Sequence, residues 1–158
     1  MDTRKVALGA VIAAMYAVGV VFLAPISFSI FQVRLADALI PLSILFGTPV
    51  VWGVTLGNIV ANVYGGFGYV DIIGGSVANL AAAYVGWKIG AKKFRGSKFV
   101  ATVAQNLIVS SIVGSYLAVI FSVPLEVGFL GILLGSAISM NIIGYILTLA
   151  IEKTHLNM

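Results

Sequence analysis

Long apolar runs, interrupted by short clusters of charge, proline and glycine, divide this chain into six segments. The first predicted helix covers about residues 5–24 and stops before Pro25. A stretch rich in Phe and Ser, about 25–34, leads to a short second helix at about 35–46. Gly47, Thr48 and Pro49 turn the chain into a third helix at about 50–64. Glycines at 65, 66 and 68 make a loop, and a fourth helix follows at about 71–89. The fifth runs over about 99–121, Pro124 breaks it, and the sixth covers about 127–151. Segments two and three are short for a crossing and are expected to tilt little or to lie partly under a covering loop.

Composition turns this pattern into a membrane reading. Hydrophobic residues make up 61 % and charged residues 9 %, and the mean hydropathy is +1.13, beyond what a water-facing surface tolerates. At about 20 residues per crossing, 158 residues hold six helices and no soluble domain. The expected fold is therefore all-α and integral to the membrane: one domain, 1–158, of six transmembrane helices. The apolar part of the first segment is too long for a signal-peptide core, and a full transmembrane chain follows it, so it reads as retained.

Charge supplies the orientation. Basic residues gather at Arg4 and Lys5, at Lys88, Lys92, Lys93, Arg95 and Lys98, and at Lys153, whereas Asp37, Asp71 and Glu126 fall elsewhere. Lys/Arg-rich ends face the cytoplasm, which predicts a multi-pass cell-membrane protein with both termini inside and an acidic outer mouth. The net charge of +4 follows from that topology and is no nucleic-acid footprint. With no cysteine there is no disulfide, zinc site or thiol nucleophile, and the single histidine, His155, lies in a polar tail.

Three loops, about 25–34, 65–69 and 122–126, then share the outer face. Asp71 and Glu126 stand at the outer starts of helices four and six, where the helix dipole favours a carboxylate. Arg34 is the one basic residue assigned to that face. It precedes Asp37 by one turn, so an intrahelical ion pair and a direct ligand contact are both open. Asn58 and Asn62 share a face of helix three, Thr55 extends it inward, and Asn79 reaches a similar depth on helix four. In lipid each amide must find a partner, either in a polar cavity or in the neighbouring helix. Gln105, Asn106 and Asn141 form a second level nearer the cytoplasm, read as ties between helices five and six. Tyr64, Phe67, Tyr69, Tyr84, Tyr116 and Tyr145 fit an interfacial belt, with one or two in the outer loops placed to cap a planar ligand. On helix one, Ala10 with Ala14 and Ala13 with Ala17 are spaced to let another helix approach, from this chain or from a partner protein.

Catalytic motifs are absent: no phosphate-binding loop, no zinc-protease motif and no nucleophile elbow. No catalytic residue, metal ligand or cofactor is assigned, and the pattern argues against an enzyme. Internal inverted repeats are not evident either. What remains is an outward polar pocket whose energy or gate comes from elsewhere.

The runs LGAVIAAMYAV (8–18), APISFSIFQVRLADAL (24–39) and GNIVANVYGGFGYVDIIGGSVANLAAAYVGWKI (57–89) are similar to the QueT-type queuosine-precursor transporters, S components of energy-coupling factor (ECF) transporters. The likeness covers the first four helices well and the last two through topology, length and the Pro-then-Glu turn. It implies a six-helix subunit that captures a micronutrient outside, then associates with a membrane coupling subunit and two cytosolic ATPases. It implies that Ala10, Ala13, Ala14 and Ala17 dock to that coupling subunit. It also implies that Arg34, Asp37, Asn58, Asn62, Asp71 and Asn79 bind the ligand; Asp37 stands where the family more often has Glu. Glu126 joins this set from the topology argument. The implied substrate is a deazapurine, whose edge offers donors and acceptors to Asn and Asp, with a carboxylate such as Asp71 or Glu126 pairing with an aminomethyl group. Asp71→Asn or Glu126→Gln is then expected to weaken an amine ligand by orders of magnitude. Another vitamin or purine-like base, or a self-sufficient small transporter or channel, stays open as an alternative.

Overall fold

Helices form over all six apolar segments in a computed structural model that describes residues 2–29 and 32–156, with side chains through 154. Ile30 and Phe31 of the predicted 25–34 loop, and the side chain of His155, lie outside the described residues. Helix α1 is Thr3–Phe22, its first turn capped by the Asp2 carboxylate, which accepts from the Arg4 N–H at 3.1 Å. A single turn, Ala24–Ser27, follows. Then come α2 (Leu35–Phe46), α3 (Thr48–Gly65), α4 (Tyr69–Gly90) and α5 (Ser97–Ile120). Helix α6 winds as α-helix over Leu125–Ser136, as π-helix over Ala137–Gly144 and again as α-helix over Tyr145–Leu156. No strand occurs among the described residues.

Thr3–Phe22, Ser97–Ile120 and Leu125–Thr154 are long and apolar enough to cross a membrane. Their outward side chains match that environment: Val18 is 65 %, Phe22 84 % and Val119 78 % exposed, a surface that lipid accepts and water does not. Helices α3 and α4 are long as well, but inward-facing polar residues dilute their hydropathy: Thr55, Asn58 and Asn62 on one, Asp71, Ser76 and Asn79 on the other, all buried.

Helix α2 departs from the expected α-helix. Its first part, Leu35–Leu42, is a 3-10 helix with Pro41 inside it, and proline removes a backbone donor that an α-helical ladder would need. At roughly 2.0 Å per residue against 1.5 Å, this winding stretches twelve residues to about 22 Å, short of the roughly 30 Å hydrocarbon thickness. Backbone wound this way is tolerated at depth because protein covers it: Ala36 through Ile44 are buried. The π-helical stretch of α6 packs on it, Gly144 lying so close to Pro41 that a β-carbon there would stand 2.7 Å from the proline Cγ.

Glycines also set the tightest helix pair. A β-carbon at Gly53 would stand 2.8 Å from the Gly9 carbonyl oxygen, and one at Gly57 2.6 Å from that of Ala13, so α1 and α3 run side by side in the same direction at backbone contact. Paired contacts make α1–α2 (Gly19 at Ala36, Tyr16 at Asp37), α3–α4 (Asn58 at Ser76, Asn62 at Asp71), α4–α5 (Gly74 at Tyr116, Gly86 at Gln105) and α5–α6 (Gly114 at Phe129, Asn106 at Asn141) antiparallel, whereas α2 and α6, in contact at Gln32 with Gly135 and at Pro41 with Gly144, run the same way. Chain direction therefore alternates, and Arg4, Lys5, the Lys88–Lys98 turn and Lys153 collect at one end of the bundle.

Candidate binding site

The inward polar residues make two hydrogen-bonded groups. In the first, the Tyr16 hydroxyl donates to Asp37 Oδ1 at 2.5 Å and lies 3.4 Å from Asn58 Oδ1. Arg34 Nη1 donates to the same Asn58 oxygen at 2.9 Å, and Arg34 Nε reaches the Ser27 carbonyl at 3.4 Å. The Arg34 guanidinium also stacks on Phe28, 5.2 Å from the ring centre. Asn58 Nδ2 turns to Ser76 Oγ at 3.4 Å. In the second group, Asn62 Nδ2 donates to the Asp71 carbonyl at 2.7 Å and the Tyr116 hydroxyl to Asp71 Oδ1 at 2.8 Å.

The groups meet over Gly75 on α4, where a β-carbon would stand 2.6 Å from Asn62 Nδ2, 2.8 Å from Asn58 Nδ2 and 3.3 Å from the Tyr116 hydroxyl. Only hydrogen leaves room for both amides and the phenol.

Four buried atoms here have no partner among the described residues: Ser27 Oγ, Arg34 Nη2, Asn62 Oδ1 and Asp71 Oδ2. Because unmet buried polar atoms cost about 1–3 kcal/mol each, more when charged, their concentration in one place calls for a chemical reason. Beside them a closed void is lined by Gln32, Arg34, Asp37, Asn79 and Ser136 on its polar side and by Val109, Val113 and Ile132 on its apolar side; its free volume is about 10 Å³. That holds about one water, against roughly 300–1,000 Å³ for an open ligand pocket. Three rings close this end of the bundle: Phe67 contacts Phe28 and Phe121 edge to face, with centroids 5.8 and 5.4 Å apart. Phe28 and Phe67 come from two of the loops expected to converge and Phe121 from the end of α5, so Phe67 packs between them instead of serving as a belt residue.

Arg34, Asp37 and Asn79 line the void, while Asn58 and Asn62 crowd Gly75 and Asp71 joins them through Asn62 and Tyr116. The two sequence readings of Arg34 with Asp37 separate here, because no ion pair forms between them. Arg34 is the extended cap residue before the 3-10 helix, with φ −86° and ψ 96°, so its side chain leaves the helix toward Asn58. Thr55 returns its hydroxyl to the Val51 carbonyl at 2.7 Å and adds nothing to the void. Tyr116 is corrected from the interfacial belt to the Asp71 group. Tyr16, fully buried, was not singled out by sequence; its signal was a tyrosine in mid-segment, in register with Ile12 and Val20.

Glu126 stands apart. It is exposed and lines a shallow apolar groove with Ser111, Ser115 and Phe129, because the first turn of α6 directs it away from the bundle axis. The structure does not bring it to the amides. The second polar level forms as expected between α5 and α6: Asn106 Nδ2 donates to Asn141 Oδ1 at 2.9 Å. Gln105 instead donates to Ser43 Oγ at 3.1 Å, which ties α5 to α2. The four alanines of α1 split, Ala10 and Ala14 exposed, Ala13 and Ala17 half-buried.

A family profile described as QueT transporter matches residues 6–153. The chain belongs to the QueT transporter family. Membership of that family, with the apolar helices, makes this a membrane transport protein handling a small molecule, and the matched stretch includes every residue of the polar groups. No curated protein and no solved structure matches the chain.

Proposed function

We propose that this QueT-family protein is the S component of an ECF-type importer, and that its cargo is a cationic 7-deazaguanine, a queuosine precursor carrying an aminomethyl group. The observation that carries this reading is the charge count of the buried groups. Arg34 supplies one positive charge and Asp37 and Asp71 two negative ones, with Asp71 Oδ2 and Asn62 Oδ1 unpartnered. A buried, unpaired carboxylate is costly, and a ligand ammonium at Asp71 and Asn62 restores neutrality and fills both acceptors. The flat heterocycle then lies between the apolar wall of Val109, Val113 and Ile132 and the polar wall of Arg34, Asp37 and Asn79. Those side chains offer donors and acceptors to a 2-amino-pyrimidinone edge.

Entry requires the Phe28, Phe67 and Phe121 plug to part, since the closed void holds about one water. The basic end faces the cytoplasm by the positive-inside bias, so the aromatic end opens outward. Energy comes in trans: the chain has no phosphate-binding loop. Ala10 and Ala14 expose small side chains beside an apolar lane that includes Trp52 and Leu56, and a helix of the coupling subunit fits such a surface.

Calorimetry on the purified chain in nanodiscs tests the cargo. The aminomethyl deazaguanine is expected to bind at least a hundredfold more tightly than its uncharged 7-cyano analogue, guanine or riboflavin. Equal affinity for charged and uncharged bases would remove the Asp71 argument. Tight binding of riboflavin would replace the substrate class.

A further inference from the structure

A second cavity opens at the basic end of the bundle, remote from the amides. Its volume is about 560 Å³, and it lies between the end of α2, the α4–α5 turn and the last turns of α6. Its walls combine two chemistries. Ile44, Leu45 and Leu149 make an apolar floor, and Lys93, Ser97 and Lys98 make a polar rim.

Helix α5 begins at this rim, after Gly96 in the left-handed conformation and without a side-chain cap, so its first N–H groups and dipole offer a place for an anion. A helix start alone specifies nothing, but Ser97, 4 % exposed, lines the cavity together with the Lys93 and Lys98 side chains. Of the charged groups facing the cavity, Glu152 is held by Lys98 in an ion pair, which leaves Lys93 uncompensated and the lining net positive by one. Lys88 is engaged elsewhere, over the Trp87 ring at 4.4 Å.

We infer that this cavity is a binding site for the phosphodiester headgroup of an anionic membrane lipid, with the phosphate at Ser97, Lys93 and the α5 N-terminus and the start of an acyl chain on the Ile44, Leu45 and Leu149 floor. A free phosphate shares the first half of that chemistry but leaves the apolar floor empty. Basic pockets between transmembrane helices on the cytoplasmic side hold lipid headgroups by the same combination.

The test is native mass spectrometry and thermal unfolding of the purified protein, titrated with phosphatidylglycerol, phosphatidylcholine or inorganic phosphate. Phosphatidylglycerol is expected to bind saturably and raise the unfolding temperature, phosphatidylcholine and inorganic phosphate much less. Lys93→Gln with Lys98→Gln removes two lysines worth about tenfold or more in affinity. Lys92→Gln with Arg95→Gln removes the same charge from exposed positions outside the cavity and is expected to leave the lipid bound. Should loss of Lys98 strand Glu152 and unfold the protein, Lys93→Gln with Ser97→Ala gives the same reading with the ion pair intact. Equal loss in both charge pairs, or saturation by inorganic phosphate alone, would overturn the lipid site. So would protection of this groove by a copurifying protein in place of lipid.

Discussion

Asp71→Asn separates the cost of an empty site from the gain on filling it, because the two effects have opposite signs. Asparagine keeps the shape, and its Oδ1 still accepts from the Tyr116 hydroxyl, which now lies 2.8 Å from the carboxylate. What disappears is one buried negative charge whose second oxygen has no partner. In the ligand-free protein this relieves about 1 kcal/mol, and for a chain of this size that raises the unfolding temperature by roughly 2–4 °C. In the complex it removes one partner of a buried charge pair, a loss of about 3–5 kcal/mol, or roughly 100- to 4,000-fold in affinity. The assay is far-UV circular dichroism melting without ligand, paired with calorimetry for the aminomethyl deazaguanine and its uncharged analogue. Glu126→Gln is the control, expected to change neither, since that carboxylate is exposed away from the amides. If Asp71→Asn lowers the melting temperature and weakens both ligands alike, the carboxylate is structural and the charge argument fails.

Other substitutions probe the neighbouring contacts. Tyr16→Phe strips Asp37 of its 2.5 Å hydrogen bond and should cost about 1–3 kcal/mol, seen as a lower melting temperature; an unchanged melt would mean water replaces the phenol. Gly75→Ala places a methyl between Asn58 and Asn62; helix propensity gains about 1 kcal/mol while overpacking costs about 1–3 kcal/mol, so stability falls by at most about 2 kcal/mol while ligand affinity collapses. Full affinity in that variant would show that the amides do not need their present spacing. Phe67→Ala takes the middle ring from the plug and should speed both association and dissociation in stopped-flow measurements, whereas unaltered rates would exclude the plug as a barrier. Gly57→Val drives a side chain into the α1 backbone beside Ala13 and should destabilise by at least 1–3 kcal/mol, checked by the same melts.

Much of the molecule is legible before any coordinates. Apolar runs and their breaks define six helical segments because a chain this hydrophobic has no other way to satisfy its backbone in lipid. The amides Asn58, Asn62 and Asn79 stand out for the same reason: polar groups in such runs must turn inward. Tyrosine escapes that rule. Its ring is at home at the interface, so Tyr16 and Tyr116 carry no sign in sequence that they bond to carboxylates.

Only the tertiary structure decides which of the polar residues meet. Helical phase and depth can be counted along a segment, but the rotation of one helix against the next comes from packing, here the glycine contacts of α1 with α3 and the hydrogen-sized gap at Gly75. That rotation gathers Asp71 with Asn62 and leaves Glu126 at the surface, although both begin a helix at the same end. The 3-10 winding of α2 is likewise a tertiary outcome, since Pro41 permits it but burial against the π-helical turn of α6 sustains it. Sequence alone thus fixes which groups must be buried, through the cost of polar atoms in lipid. Which partners they find, and which atoms are left without one, is settled by how closely the helices can approach.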